Sequence, residues 1–177
     1  MDLRDVVIRL GTAADAVPAA RLVSLADVER RGVSPEDARE RERAPARLTD
    51  AATFFYVGEA GGAGGDLVSV AAGMAGRADG GAGAPIPGLC HITMVAVRPG
   101  YWGRGLGKQV LRAVVTEARR RGYERAQLFT QAANHRARAL YERQGFVLTG
   151  RSGVDAVGDE LVHYLLSPVR EDQGLHA

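Results

Sequence analysis

MVAVRPGYWGRGLGKQVL, residues 94–111, reads as a strand, a tight glycine-rich turn and the start of a helix. Gly103, Gly105 and Gly107 remove side chains where a backbone must approach a ligand, and the first-turn N–H groups of the following helix point at an anion. Arg104 and Lys108 add positive charge to the same place. A diphosphate is the natural occupant of such a turn.

Two familiar glycine loops fail against the letters. A Walker A loop needs glycine where Trp102 stands, and Ser or Thr where Gln109 follows Lys108, so a nucleoside triphosphatase is unsupported. Counting a dinucleotide fingerprint from Gly103 and Gly105 puts Lys108 at the third glycine, so hydride transfer fails as well.

Outward from this turn the hydrophobic period switches regularly. The spacing predicts a strand over 90–97, ended by Pro99 and Gly100, and a helix over 104–121, where Leu106, Val110, Val114 and Ala118 share one face. A strand over 125–131, a short helix over 136–144 closed by Gly145, and strands over 146–149 and 161–166 follow. Upstream, residues 6–10 suit a strand, and Thr12 suits the cap of a helix carrying Ala16, Ala20, Val23 and Val28. Ser34-Pro35-Glu36-Asp37 has the composition of a second helix start. Residues 53–59 and 67–75 read as a hairpin. Eleven of the 23 glycines fall between Gly58 and Gly88, so 61–65 and 80–88 read as loops. Alternating strands and helices imply an α/β domain around a mixed sheet.

Length and charge bound the rest. A chain of 177 residues with 46% hydrophobic and 25% charged residues suits one soluble domain, residues 1–168, with a short tail over 169–177. Net charge is only +2 although the sequence pI is near 9.0, because Lys108 is the sole lysine among the basic residues. That excess is too small to predict nucleic-acid binding. The single cysteine, Cys90, excludes an internal disulfide and points to a reducing, cytoplasmic setting. Residues 1–10 carry acids and no apolar core, and Pro85 and Pro87 break the longest uncharged run, so neither a secretory signal nor a membrane span is read. His91, His135, His163 and His176 show no metal-ligand spacing, hence no metal is expected.

With these residues in view, the chain resembles the GNAT superfamily of N-acetyltransferases, whose pyrophosphate loop reads Arg/Gln-x-x-Gly-x-Gly/Ala. Trp102, Gly103, Arg104, Gly105, Leu106 and Gly107 fit that loop except at its first residue, where Trp102 replaces Arg or Gln. A second motif agrees: NHRARALYERQGF, residues 134–146, matches the family's Asn-x-x-Ala-x-x-Leu-Tyr-Glu-x-x-Gly-Phe helix, with one helix and one strand between the two motifs. The resemblance implies a GNAT-like acyl-CoA N-acyltransferase fold with a mixed sheet of about six to seven strands and flanking helices. It further implies acetyl-CoA as co-substrate, the loop through Lys108 on its pyrophosphate, and the backbone of Val95, Ala96 and Val97 along its pantetheine arm. Tyr141 stands where the family places the general acid, and Asn134 where a pantetheine contact or a helix cap is expected. His91 lies near the strand position where many members carry a glutamate base, and a neutral imidazole suits proton removal through water. Adjacent strand residues face opposite ways, so Cys90 and His91 cannot pair as a thiol nucleophile and its base, and Cys90 reads as a buried structural residue.

The resulting reading is an acetyl-CoA-dependent N-acetyltransferase acting by direct attack of a primary amine. Its partners are a small-molecule or peptide amine, with no nucleic acid, no membrane, and a homodimer left open. The rivals are a non-catalytic acyl-CoA-binding module and an acetylating toxin acting on aminoacyl-tRNA. The toxin reading wants a basic face, yet residues 30–50 hold six arginines against five acids.

Overall fold

A computed structural model describes residues 6–32, 43–62 and 64–168. Among them seven strands form one mixed sheet in the order β1-β2-β3-β4-β5-β7-β6. They are β1 (Val6–Leu10), β2 (Phe54–Ala60), β3 (Asp66–Arg77), β4 (Pro85–Val97), β5 (Arg125–Gln131), β6 (Val147–Val154) and β7 (Glu160–Leu166). The helices are α1 (Ala16–Arg31), α2 (Arg43–Thr49), α3 (Leu106–Arg120) and α4 (His135–Arg143). β4 and β5 run parallel, which requires a crossover connection, and α3 supplies it. The GNAT-like fold class expected from the sequence is the fold found. The proposed helix start at Ser34 lies outside the described residues, as does the 169–177 tail.

The chain divides into two compact units. One comprises Met1–Met74 with Ile92–Val114 and the other Ala75–His91 with Val115–Ala177. In the first, β1, β2 and β3 pair antiparallel, with Val6 opposite Ala60 and Phe54 opposite Gly73. Their inner face is closed by Ala16, Ala19 and Leu22 of α1, which pack with Leu48, Phe55, Val57, Val70, Ala72 and Ala96. Alanine there lets the helix approach the sheet closely, and apolar burial supplies the driving force. Gly32, at φ 66°, ends α1 by giving its N–H to Val28 O.

Glycines 61, 62 and 64 turn the β2–β3 hairpin at positive φ, as expected for 61–65. That turn is tied down by a buried carboxylate, because Glu59 accepts the N–H groups of Gly64 and Gly65. Arg9 Nε donates to Glu59 at 2.6 Å while its Nη atoms grip Asp15 at 2.8 and 2.9 Å. Asp15 also receives the backbone N–H and the hydroxyl of Thr12, which closes the helix entry foreseen at Thr12. The Arg9 hydrogen bonds hold both carboxyls below their ordinary range, against the opposing effect of burial. Groups depressed in this way stabilise the fold above the unfolded carboxylate pKa of about 4 and lose that contribution as pH falls through their lower folded values. Arg9→Ala strands two buried carboxylates, so melting is expected to drop by roughly 5 °C or more at pH 7. The gap to wild type should narrow toward pH 3, and thermal melts across pH measure both effects.

In the second unit β7 pairs antiparallel with both β5 and β6. Tyr164, fully buried on β7, donates its hydroxyl proton to Glu142 at 2.7 Å and accepts from Arg138 Nε at 3.1 Å, which fastens α4 to the sheet. Two boundaries differ from the sequence reading. The loop expected over 80–88 ends early, because β4 begins at Pro85 and not at Cys90. Proline lacks an N–H and reads as a breaker, yet it is tolerated at the first residue of a strand. The parallel neighbour also secures this end through Glu124 N–H to Gly88 O at 2.8 Å. β6 spans eight residues instead of four, continuing across a register shift between Leu148 and Ser152 that masks its alternation.

Candidate active site

The glycine turn lies in the first unit and is built from both sides. Leu106, 1% exposed, anchors the start of α3 against Ala60 and Val68, with Val6, Val97 and Tyr101 packed around them. Arg98 gives its N–H to Val68 O at 2.8 Å and pairs with Asp66 at 3.0 Å, fixing the exit from β4. Trp102 occupies the position where the resembled family carries Arg or Gln. Its indole N–H instead donates to Val97 O at 2.7 Å and staples the turn back onto the strand. Gly103 and Gly105 sit at φ 77° and 83°, a region that L side chains disfavour. Gly105 O accepts the Gln109 N–H, so Gly105 caps α3. The N–H groups of Leu106, Gly107 and Lys108 therefore fall in the first turn, where no intrahelical carbonyl serves them. Arg104 lies over the Tyr101 ring at 5.4 Å, and Lys108 is exposed beside it. Val95, Ala96 and Val97 form the last residues of β4, and the Val97 carbonyl is already engaged by Trp102.

The second motif lies in the other unit. Asn134 caps α4, its Oδ1 accepting Ala137 N–H at 3.2 Å, so the capping role weighed for it is present. Tyr141 is 6% exposed, with the rings of Phe146 and Tyr164 each 6.0 Å away. Burial pushes its phenol far above the usual tyrosine value. A phenol so placed is fully protonated at neutral pH and available as a donor.

His91 is half-buried and, contrary to its expected place near a strand start, sits in the middle of β4, because that strand begins five residues earlier than the sequence suggested. It lies opposite Gln127 in the parallel β4–β5 ladder, which also pairs Leu89 with Arg125 and Cys90 with Ala126. Cys90, on the opposite side of the strand, is fully buried, as expected.

Sequence reasoning missed the neighbours of His91. On β5, Gln127, Phe129 and Gln131 alternate with the buried Ala126, Leu128 and Thr130. His163 of β7 faces Phe129, its ring 4.7 Å away, and shares hydrogen bonds with Thr149 at 2.7 Å and Gln127 at 3.0 Å. Burial, and secondarily the charge of Arg151, lower its affinity for a proton. The polar alternation of β5 was legible, but the two strands that complete the cluster come from a hairpin that follows β5 only after α4. No cluster of three or more metal-ligating side chains occurs among the described residues.

The family model of the acetyltransferase (GNAT) family matches residues 20–146, through both motifs. The chain belongs to the GNAT acetyltransferase family. Among solved structures, a GNAT-family protein from Desulfovibrio desulfuricans is 25% identical with a TM-score of 0.68, covering 93% of this chain and 99% of that one. The ribosomal-protein-S18-alanine N-acetyltransferase of Escherichia coli shares the fold at 18% identity and TM-score 0.69, covering 97% and 99%. So does yncA of Salmonella typhimurium, solved with its cofactor acetyl-CoA, at 22% and 0.67, covering 94% and 95%. A mycothiol acetyltransferase of Beutenbergia cavernae is 44% identical over 56 residues, 32% of this chain. That match spans only 19% of the relative's length. In this GNAT chain no helix among the described residues is long and apolar enough to cross a membrane.

Proposed function

We propose that this chain moves the acetyl group of acetyl-CoA to a primary amine by direct attack, without an acyl-enzyme. The observation that carries the reading is the Trp102–Lys108 turn, with positive φ at Gly103 and Gly105 and first-turn N–H groups of α3 that have no intrahelical carbonyl. Those N–H groups, with Arg104 and Lys108, hold the pyrophosphate. The backbone of Val95, Ala96 and Val97 and the side chain of Asn134 hold the pantetheine arm. As the amine nitrogen bonds to the thioester carbonyl, the nitrogen loses a proton through water to His91, and the C–S bond breaks. Tyr141 gives its proton to the departing thiolate. The proposed scheme uses no metal. The reading takes residues 1–168 as one domain acting in the cytoplasm on a small-molecule or peptide amine.

Release of CoA thiol from acetyl-CoA across a panel of amines tests it. Amine-dependent release is expected from the wild type. Binding of acetyl-CoA with no release would favour the non-catalytic module, and acetylation confined to aminoacyl-tRNA would favour the toxin. The same assay run across pH tests His91. The rate should rise with pH as the proposed base loses its proton. His91→Ala should lower the neutral-pH rate and remove that limb, whereas an unchanged profile would assign proton removal elsewhere.

A further inference from the structure

The face of β5 that carries Phe129 holds a cation without a counter-ion among the described residues. Phe129 is 36% exposed although β5 is flanked by β4 and β7. Around its ring stand His91 at 6.3 Å, His163 at 4.7 Å and the guanidinium of Arg151 at 5.9 Å over the face. His163 is 3% exposed and spends its ring nitrogens on Thr149 and Gln127, so it offers no charge. Of the two acids in the adjoining β6–β7 turn, Asp155 is occupied by Gln131 and by the N–H groups of Val157 and Asp159. Arg125, on the same face of β5, is turned to Pro87 O. Arg151 makes no ion pair among the described residues.

A guanidinium laid over an aromatic ring keeps its N–H edge outward, in the fork geometry that takes a carboxylate with two parallel hydrogen bonds. A second cation would meet repulsion there, which disfavours polyamines and lysine-rich segments. We propose that Arg151, seated on Phe129, is the carboxylate-recognising residue of the acceptor site, and that the acceptor is a small amine bearing a carboxylate, of the amino-acid type. His91 and Arg151 border the same ring, so the amine of such a molecule is brought toward the proposed base while its carboxylate is held. This inference rests on the acetyltransferase reading.

The test compares the standard L-amino acids with their carboxamides as acceptors, for the wild type, Arg151→Gln and Arg151→Lys, by CoA-thiol release. The wild type is expected to favour the best acid over its amide by about ten- to a hundredfold in kcat/KM, the range of a charge-assisted bidentate contact. Arg151→Gln should bring that ratio near one, mainly through KM for the acid, with KM for acetyl-CoA unmoved. Arg151→Lys should recover part of the ratio, since it restores charge without the fork. Amides that serve the wild type as well as acids, or a ratio that survives Arg151→Gln, would overturn the inference while leaving the acetyltransferase reading intact. If no amine in the panel releases thiol, the acetyltransferase reading is the one in question. Acid and amide binding is then compared directly by NMR titration, and absence of an Arg151-dependent preference overturns the carboxylate site as well.

Discussion

A Gly105→Val protein is expected to bind acetyl-CoA at least about a hundredfold more weakly than the wild type while remaining folded. The reason is conformational and not steric. A Cβ built at Gly105 meets nothing within 4 Å, so the valine side chain finds open space. Its backbone, however, sits at φ 83°, where a β-branched residue is a strong outlier and the strain amounts to roughly 1–3 kcal/mol. The chain relieves that strain by rotating Gly105, and Gly105 is the cap from which α3 departs. Rotation there re-aims the N–H groups of Leu106, Gly107 and Lys108 together, so several bonds to one diphosphate are lost in a single change. Leu106 and the Trp102–Val97 bond still hold the ends of the turn, which is why the fold survives. Gly105→Ala should give a smaller loss, because alanine tolerates positive φ better than valine. Calorimetry reads both, and unchanged affinity in a folded Gly105→Val protein would remove the loop from the site.

What the sequence disclosed follows from the range of the forces involved. The turn around Gly103 and Gly105 was legible because positive φ is a demand on single residues. α3 was legible because Leu106, Val110, Val114 and Ala118, all buried, repeat every four positions. The start of β4 was not, since Pro85 and Pro87 signal a break locally and are overridden by pairing with the chain near Glu124. β6 was half-read because its bulge interrupts the period-two pattern. The same distinction governs the site. Tyr141 and Asn134 stand in a contiguous motif. Arg9, Asp15 and Glu59 meet through pairing across about fifty residues, and Phe129, His163 and Arg151 meet through β5–β7–β6 pairing. Tertiary juxtaposition of that kind leaves no local signature.

Tyr141→Phe is expected to lower turnover by about 10²- to 10⁴-fold, the usual worth of a positioned general acid, with little change in melting temperature or in acetyl-CoA affinity. Structure preservation follows from the packing: the ring contacts with Phe146 and Tyr164 involve carbon, and phenylalanine keeps them. The catalytic loss follows from the hydroxyl. In the resting protein burial keeps the Tyr141 phenol protonated well beyond its ordinary range, so it is a weaker acid than a thiol in water, whose pKa is near ~8.5. A thiolate expelled beside it is in the same apolar surroundings and is more basic than in water, so the proton is shared when the C–S bond breaks. In the proposed mechanism the buried phenol is thus a donor matched to the desolvated leaving group. This assigns a sign to the alkaline side of the pH profile. A general acid works only while protonated, and because its pKa is raised, no fall in kcat belonging to Tyr141 should appear near pH 10, where an ordinary tyrosine ionises. Esters of more acidic thiols, which leave without protonation, should lose much less rate in Tyr141→Phe than acetyl-CoA does. Equal losses for both kinds of thioester, or equal turnover of acetyl-CoA by mutant and wild type, would return Tyr141 to the aromatic packing it shares with Phe146 and Tyr164.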